Sequence, residues 1–303
     1  MTEVLSVREI VKTFGAVRAV DGVSFSVRQG TITGLLGRNG AGKTTTIRMI
    51  TGIFMPDSGS IEWSDGGRNP QDRIGYLPEE RGLYRQMKIV ELLLFLAEIK
   101  DRRGPDVIRA IDRWLERFEL TEKRNAKVEE LSKGNQQKIQ LIGALLHDPD
   151  LIVLDEPQSG LDPVNMVLVR NLLRELKEEG KTILLSTHMM GEAERMADEI
   201  VLVHQGKVVL CGPLDFIRSS FSKNTLHIEF DGDGSFLADL PQVKRSMIVN
   251  NAAELSLSEE ADPQKILQAS IGRLRIRKFE LATPSLEQIF MEKVGAESLE
   301  AVR

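Results

Sequence analysis

A single cysteine, Cys211, stands in the 303-residue sequence. No internal disulfide can therefore form, and a reducing compartment fits. Histidine is nearly as scarce. His147, His188, His204 and His227 lie too far apart for metal-ligand spacing. A long hydrophobic run is also lacking. The most apolar stretch, IVELLLFLAEI at 89–99, falls short of the ~20 residues that span a bilayer, and Glu91 and Glu98 interrupt it. It reads as a buried helix or one packed against a partner. The opening residues, MTEVLSVREI, lack the basic start and continuous apolar stretch of a signal peptide. There is no basic excess either. A formal net charge of −5 argues against nucleic acid as the main partner, because duplex binders carry a basic footprint. Repeats and low-complexity tracts are absent. The remaining composition, 41% hydrophobic and 28% charged, is that of an ordinary globular protein, and the length allows two domains.

Apolar patterning predicts short strands at 4–11 and 23–28 and a buried strand at 31–37 that enters a Gly-rich turn. A helix over 43–51 follows, closed by Gly52. Residues 88–147 read as helical throughout, with Val107, Ile108, Ile111, Trp114, Leu115 and Phe118 at helical spacing. LIVLDEP, 151–157, is an apolar strand that ends in two acids and a proline. Asp162 and Pro163 supply an N-cap and a first-turn proline to a helix whose apolar face is Val164, Val167, Leu168, Leu172 and Leu176. Buried strands are expected at 182–187 and 200–205. Strands alternating with helices imply a mostly parallel α/β core. Beyond about residue 222 the pattern changes. Alternation at 226–231, 254–259 and 274–282, with helical spacing at 263–271 and 285–294, predicts a small α+β appendage.

GRNGAGKTT, 37–45, fits G-x-x-x-x-G-K-[ST] through Gly37, Gly42, Lys43 and Thr44. Chance yields such a match in about one chain of this length in a hundred, and the strand before it and helix after it make chance rarer still. The glycines let the backbone curl so that N–H groups and the helix N-terminus face a phosphate chain. Lys43 is expected to reach the β- and γ-phosphates, and the Thr44 hydroxyl to ligate Mg²⁺. Asp155, at a strand end, is placed to hold Mg²⁺ through water. Glu156, one residue on, points elsewhere and can orient or deprotonate an attacking water. His188 follows a central strand at the end where ligands bind in open α/β sheets, in reach of a γ-phosphate.

These residues, in this order and spacing, resemble the ATP-binding subunit of ABC transporters over about residues 1–220. Walker A is GRNGAGKTT (37–45), and its Gly37, Arg38, Asn39, Gly40, Ala41, Gly42, Lys43, Thr44 and Thr45 would cradle ATP. Walker B is LIVLDEP (151–157), SGLD (159–162) is similar to the D-loop, His188 to the switch histidine, and LSKGNQQK (131–138) to the signature motif. Phe14, in KTFG, matches the aromatic that stacks on adenine. The resemblance implies a P-loop NTPase fold of the ABC type over 1–222, with a helical subdomain at about 85–147, and an accessory α+β domain over 223–303. It implies ATP and Mg²⁺ as cofactors and Glu156 and His188 as catalytic residues. Ser132, Gly134 and Asn135 would bind the γ-phosphate of ATP held by a second copy of the chain, so that two copies close head-to-tail on two ATPs. A helix N-terminus carrying about half a positive charge suits that contact. Three positions depart from the family pattern. Glu79 stands where a Gln is usual, and would set a carboxylate beside Mg²⁺ or the water. Lys133 and Asn135 stand where Gly and Gln are usual.

Within the family, GYLPEERGLY, LSKGNQQKIQ and PSLEQIFMEKVG are similar to the sodium-efflux and drug-efflux branch, whose ATPase and permease are separate chains. A permease in the membrane is then the expected partner, with residues 85–103 read either as its docking groove or as plain core, and the location is cytoplasmic, on the inner face of the cell membrane. The alternative is a soluble ATPase of the same type, acting on nucleic acid or in assembly without a permease. Against it, the chain lacks the coiled-coil insertions and second nucleotide domain of such members, and Arg273, Arg275 and Arg277 alternate as the solvent face of a strand.

Overall fold

The protein, seen in a computed structural model, is described over residues 2–64, 73–80, 82–221, 225–258, 260–281 and 284–300. By its internal contacts the chain divides into residues 1–213 and 214–303. The boundary expected at 222–223 lies outside the described residues.

In the first unit, β1 (Glu3–Phe14) and β2 (Val17–Arg28) form an antiparallel hairpin. The sequence predicts only 4–11 and 23–28, where apolar alternation is plain. Backbone pairing carries the strands further, through Thr13↔Arg18 and Phe14↔Val17, where exposed side chains leave no hydrophobic signal. β3 (Ile32–Leu36) leads through residues 37–42 into α1 (Lys43–Ile50), and β4 (Ser58–Trp63) returns to pair with the other edge of β1. The main sheet has six strands in the order β5-β6-β7-β3-β8-β9, formed by β5 (Ile74–Leu77), β6 (Leu151–Asp155), β7 (Thr182–Thr187), β3, β8 (Glu199–His204) and β9 (Lys207–Pro213). Every pairing is parallel except the β8–β9 hairpin. β3, β6 and β7 are buried at every position, which explains their mostly apolar sequences. One core, including Val7, Ile10, Val23, Leu35, Ile47, Val153 and Val201, joins the small sheet, α1 and the large sheet.

The stretch 88–147 is not one continuous helical run. It holds α2 (Ile89–Ile99), α3 (Pro105–Arg117) and α4 (Lys133–Leu145), which pack on one another. Gly104 and a Pro at the first helical position separate the first two, since proline starts a helix but cannot sit inside one. Residues 118–132 carry only two short 3₁₀ turns, at Thr121–Lys123 and Val128–Glu130. Val107, Ile111, Leu115 and Phe118 are buried as the spacing predicts, while Ile108 is exposed. α5 (Pro163–Glu178) starts at Asp162, whose carboxylate accepts from the Asn165 N–H at 2.9 Å. Its buried face is Val169, Leu172, Leu173 and Leu176. Val164 and Val167, expected on that face, are exposed. α6 (Met190–Met196) follows β7.

The second unit contains α7 (Leu214–Ser220), β10 (Thr225–Asp231), β11 (Val243–Val249), β12 (Ala252–Leu257), α8 (Pro263–Ser270), β13 (Arg275–Leu281) and α9 (Leu286–Glu300). Its four strands form an antiparallel sheet in the order β11-β12-β10-β13. One face, with Leu226, Ile228, Phe230, Ala253 and Leu255, packs on Leu237 and Ile266. The outer face carries charge, and Arg277 pairs with Asp231. The edge strands β4, β9 and β11 are absent from the sequence reading, since half-exposed edges lack strong patterning. The predicted strand ends at 259 and 282 lie outside the described residues. Among the described residues no helix is long and apolar enough to cross a membrane.

Candidate functional site

β3 ends at Gly37, and Arg38, Asn39 and Gly40 form an exposed turn before Ala41 re-enters the core. The loop is clamped from both sides. A Cβ on Gly37 would lie 2.3 Å from the Val203 carbonyl oxygen, and one on Gly42 2.5 Å from that of Ala19. Only glycine fits such approaches. The Gly206 N–H, in the β8–β9 turn, donates to the Ala41 carbonyl at 2.9 Å. α1 then begins with Gly42 as N-cap, no side chain capping it and no acid in its first turn. Its free N–H groups are left to face an anion. Thr44 and Thr45 are half-buried on that first turn.

Lys43 is 5% exposed and doubles back over the loop. Its Nζ donates to the Gly37 carbonyl at 2.7 Å and lies 3.4 Å from Glu156 Oε1. β6 delivers Asp155 and Glu156 beside it. Asp155 is fully buried; Ser186, opposite it on β7, donates its hydroxyl to Oδ1. Burial pushes the Asp155 carboxyl up from its ordinary range, and the Glu156 charge adds to this. The Ser186 and Thr44 hydroxyls and the Lys43 charge pull the other way. Glu156 takes a positive φ of 50°, uncommon for a side-chain-bearing residue and frequent at functional sites. The Ser186 hydroxyl accepts from its N–H at 3.1 Å, and its Oε2 meets His188 Nδ1 at 3.0 Å. The structure thus brings Lys43, Thr44, Asp155, Glu156 and His188 together at the carboxyl end of the sheet.

Asp155 Oδ2 and Glu156 Oε1 are buried and lack a hydrogen-bond partner. Carboxylate oxygens so placed fit a cation or a water held by one. No cluster of three or more metal-ligating side chains lies among the described residues. One carboxylate and one hydroxyl suit Mg²⁺, which keeps waters and takes its other ligands from a nucleotide's phosphates.

Phe14 closes the β1–β2 hairpin with its ring 44% exposed and edge-on to Phe54, 5.5 Å between centroids. The same hairpin reaches the phosphate loop through Ala19. Glu79 is exposed in the segment after β5. Its neighbour Glu80 lies 3.6 Å from Arg48 of α1, and the Glu80 carbonyl accepts from Gln140 of α4 at 3.4 Å. Ser132 caps α4 and accepts from the Asn135 N–H at 3.3 Å. Ser132 is exposed, and the nearest atoms to a Cβ on Gly134 would be in Leu161 and Gly160.

Sequence reasoning missed Ser186, which serves both carboxylates, and Tyr76, whose hydroxyl is pushed up to about 12 by burial and the Asp155 charge. It also missed Gln158 and Glu192, buried and hydrogen-bonded to each other at 3.3 Å. A polar residue inside a buried parallel strand is the one signal that marks Ser186.

Residues 20–159 match the "ABC transporter" family profile, and residues 212–294 that of the "ATP-binding protein DrrA1-3-like, C-terminal domain". The chain is 44% identical to an uncharacterized ABC transporter ATP-binding protein of Bacillus subtilis (strain 168), covering 96% of this chain and 99% of that one. It is 36% identical to the Nod factor export ATP-binding protein I of Rhizobium sp. (strain N33), over 95% and 96% of the two chains. Among solved structures, an ATP-binding subunit of an ABC transporter superposes with a TM-score of 0.66 at 34% identity, covering 72% of this chain and 93% of that one.

Proposed function

Because this chain belongs to the family of ABC transporter ATP-binding proteins, we propose that it hydrolyses ATP to drive export through a separate membrane permease. The observation that carries the reading is the cluster beside the phosphate loop, in which Lys43 and Glu156 are buried and His188 is half-exposed. Lys43 lies 3.4 Å from Glu156, which lies 3.0 Å from His188. ATP would lie along residues 37–45 with its adenine on Phe14, and the first-turn N–H groups of α1 and Lys43 would hold its phosphates. Thr44 and Asp155 would hold Mg²⁺, which neutralises phosphate charge when bound. Glu79, exposed beyond β5, would approach the same phosphates.

Glu156 would accept a proton from the attacking water as its oxygen bonds the γ-phosphorus and the bond to ADP breaks. His188 orients the Glu156 carboxylate and steadies the transferring group. Ser132, Gly134 and Asn135 would meet the γ-phosphate of ATP held by a second copy. The accessory domain has the DrrA-like C-terminal form. A relative named for Nod factor export matches along almost its whole length, which supports an exporter; the sodium- and drug-efflux branch is our narrower reading.

The permease would dock on α2, where Leu94, Phe95 and Ile99 are exposed and Tyr84 packs edge-on against Phe95 at 5.6 Å. This would place the chain in the cytoplasm, on the inner face of the membrane.

Glu156→Gln tests the assignment of the base. Turnover of Mg-ATP should fall at least about a hundredfold while ATP affinity stays within a fewfold. Hydrolysis near the wild-type rate would remove Glu156 from that role.

A further inference from the structure

The segment after Glu156 is held on two sides. Gln137 of α4 donates its amide to the Pro157 carbonyl at 3.3 Å. Gln158, 6% exposed, donates its amide to Glu192 Oε2 at 3.3 Å. Glu192 lies on α6, one helical turn past His188, and is itself 7% exposed. The same Oε2 accepts from Arg170 of α5 at 3.1 Å, and Oε1 from Arg195 at 2.5 Å. A second tie joins these helices, because Arg174 donates to the Arg195 carbonyl. One buried carboxylate therefore links three pieces of chain: the turn that carries Glu156, the helix entered just after His188, and α5.

We propose that Glu192 is a positioning residue that sets the Glu156–His188 pair by tethering Gln158 to α6. The argument is geometric. The 3.0 Å contact between His188 Nδ1 and Glu156 Oε2 joins side chains from the ends of two strands, β6 and β7. Strand pairing fixes Asp155 opposite Ser186. Past those residues the ladder stops and each segment turns its own way, Glu156 with a positive φ. The Gln158–Glu192 bond spans the two departing segments just beyond that point. Arg170 and Arg195 fix the carboxylate, because each donates to one of its two oxygens. A tether at this place moves neither the phosphate loop nor Phe14. It controls the alignment of the base and not the holding of nucleotide.

The inference rests on the ATPase reading above, and the test separates the two. Steady-state hydrolysis of Mg-ATP is measured for the wild-type chain, Gln158→Leu, Glu192→Gln, Glu192→Leu and the Gln158→Leu/Glu192→Leu double variant. Gln158→Leu removes the tether without stranding a charge, so it reports even where Glu192→Leu folds poorly. Both Leu variants should lower kcat about ten- to a hundredfold, the loss that a misplacement of about 1 Å brings, with KM for ATP within about twofold. Glu192→Gln keeps an oxygen acceptor for Gln158 and should recover part of kcat. The double variant should be no slower than the slower single one, since both remove one link.

Wild-type kcat in Gln158→Leu, a loss that falls on KM, or effects that multiply in the double variant would overturn the inference. A wild-type chain that turns over no ATP would overturn the ATPase reading, and the inference with it.

Discussion

At the residue scale the deciding contact is Lys43 against Glu156. Both side chains are more than nine-tenths buried, at 3.4 Å. Lys43 also donates to the Gly37 carbonyl at 2.7 Å and the Arg38 carbonyl at 3.3 Å. The cation thus joins the loop to the acid. Removing one member of a buried pair costs about 3–5 kcal/mol, chiefly because the other charge is left without a partner. Lys43→Ala should therefore do two things. It should abolish ATP binding, read by nucleotide titration, and destabilise the nucleotide-free chain by about that amount, read by denaturant unfolding. Adding Glu156→Gln to Lys43→Ala should restore much of the stability and none of the binding. Equal instability of single and double variants would mean that the pair is not coupled.

At the scale of elements, β5 makes a close approach to α4. A Cβ on Gly75 would lie 2.3 Å from the Ala144 carbonyl oxygen and 2.7 Å from Pro149 Cγ. Backbone cannot yield to a methyl group at that distance without the helix moving. Gly75→Ala should cost about 2–4 kcal/mol, measured by chemical denaturation, and should weaken the Gln140–Glu80 link that ties α4 to the segment after β5. A loss under about 0.5 kcal/mol, the range of ordinary surface changes, would refute the rigid contact. This contact also shows where sequence stops being informative. The buried strands β3, β6 and β7 were legible because both faces are covered and their sequences are mostly apolar. The phosphate loop was legible because its glycines and lysine are spaced by the chemistry itself. Gly75 carries no such mark, since its constraint comes from a helix about seventy residues on. Gln158 and Glu192 escaped for the same reason, being polar residues whose meaning lies in a partner 34 positions away. The break of 88–147 into three helices escaped because helical spacing persists across turns that close it only locally.

At the scale of the whole molecule, the residues that the sequence assigns to ATP fall into two sets. The phosphate loop, Asp155, Glu156 and His188 gather at one place, whereas Ser132 accepts from Asn135 within α4 and a Cβ on Gly134 would face Leu161 and Gly160. Ser132 and Lys133 are exposed there, at a helix start with no acid in its first turn. In the ATPase reading proposed above, a second copy would complete the site, and an isologous pair would make two such sites at once. Glu156→Gln, loaded with Mg-ATP, should then run at twice the 33.9 kDa mass of one chain in size-exclusion chromatography with light scattering. A side chain at Gly134 is tolerated by the fold, since its Cβ would meet Leu161 at an ordinary 3.6 Å. Gly134→Asp, added to Glu156→Gln, should accordingly bind ATP as well as its parent while staying at monomer mass, because it sets a carboxylate where a phosphate must come. Loss of ATP binding by the monomer would instead put Gly134 in the chain's own nucleotide site. A dimer that persists with Asp at this position would mean that the α4 start takes no part in joining the copies.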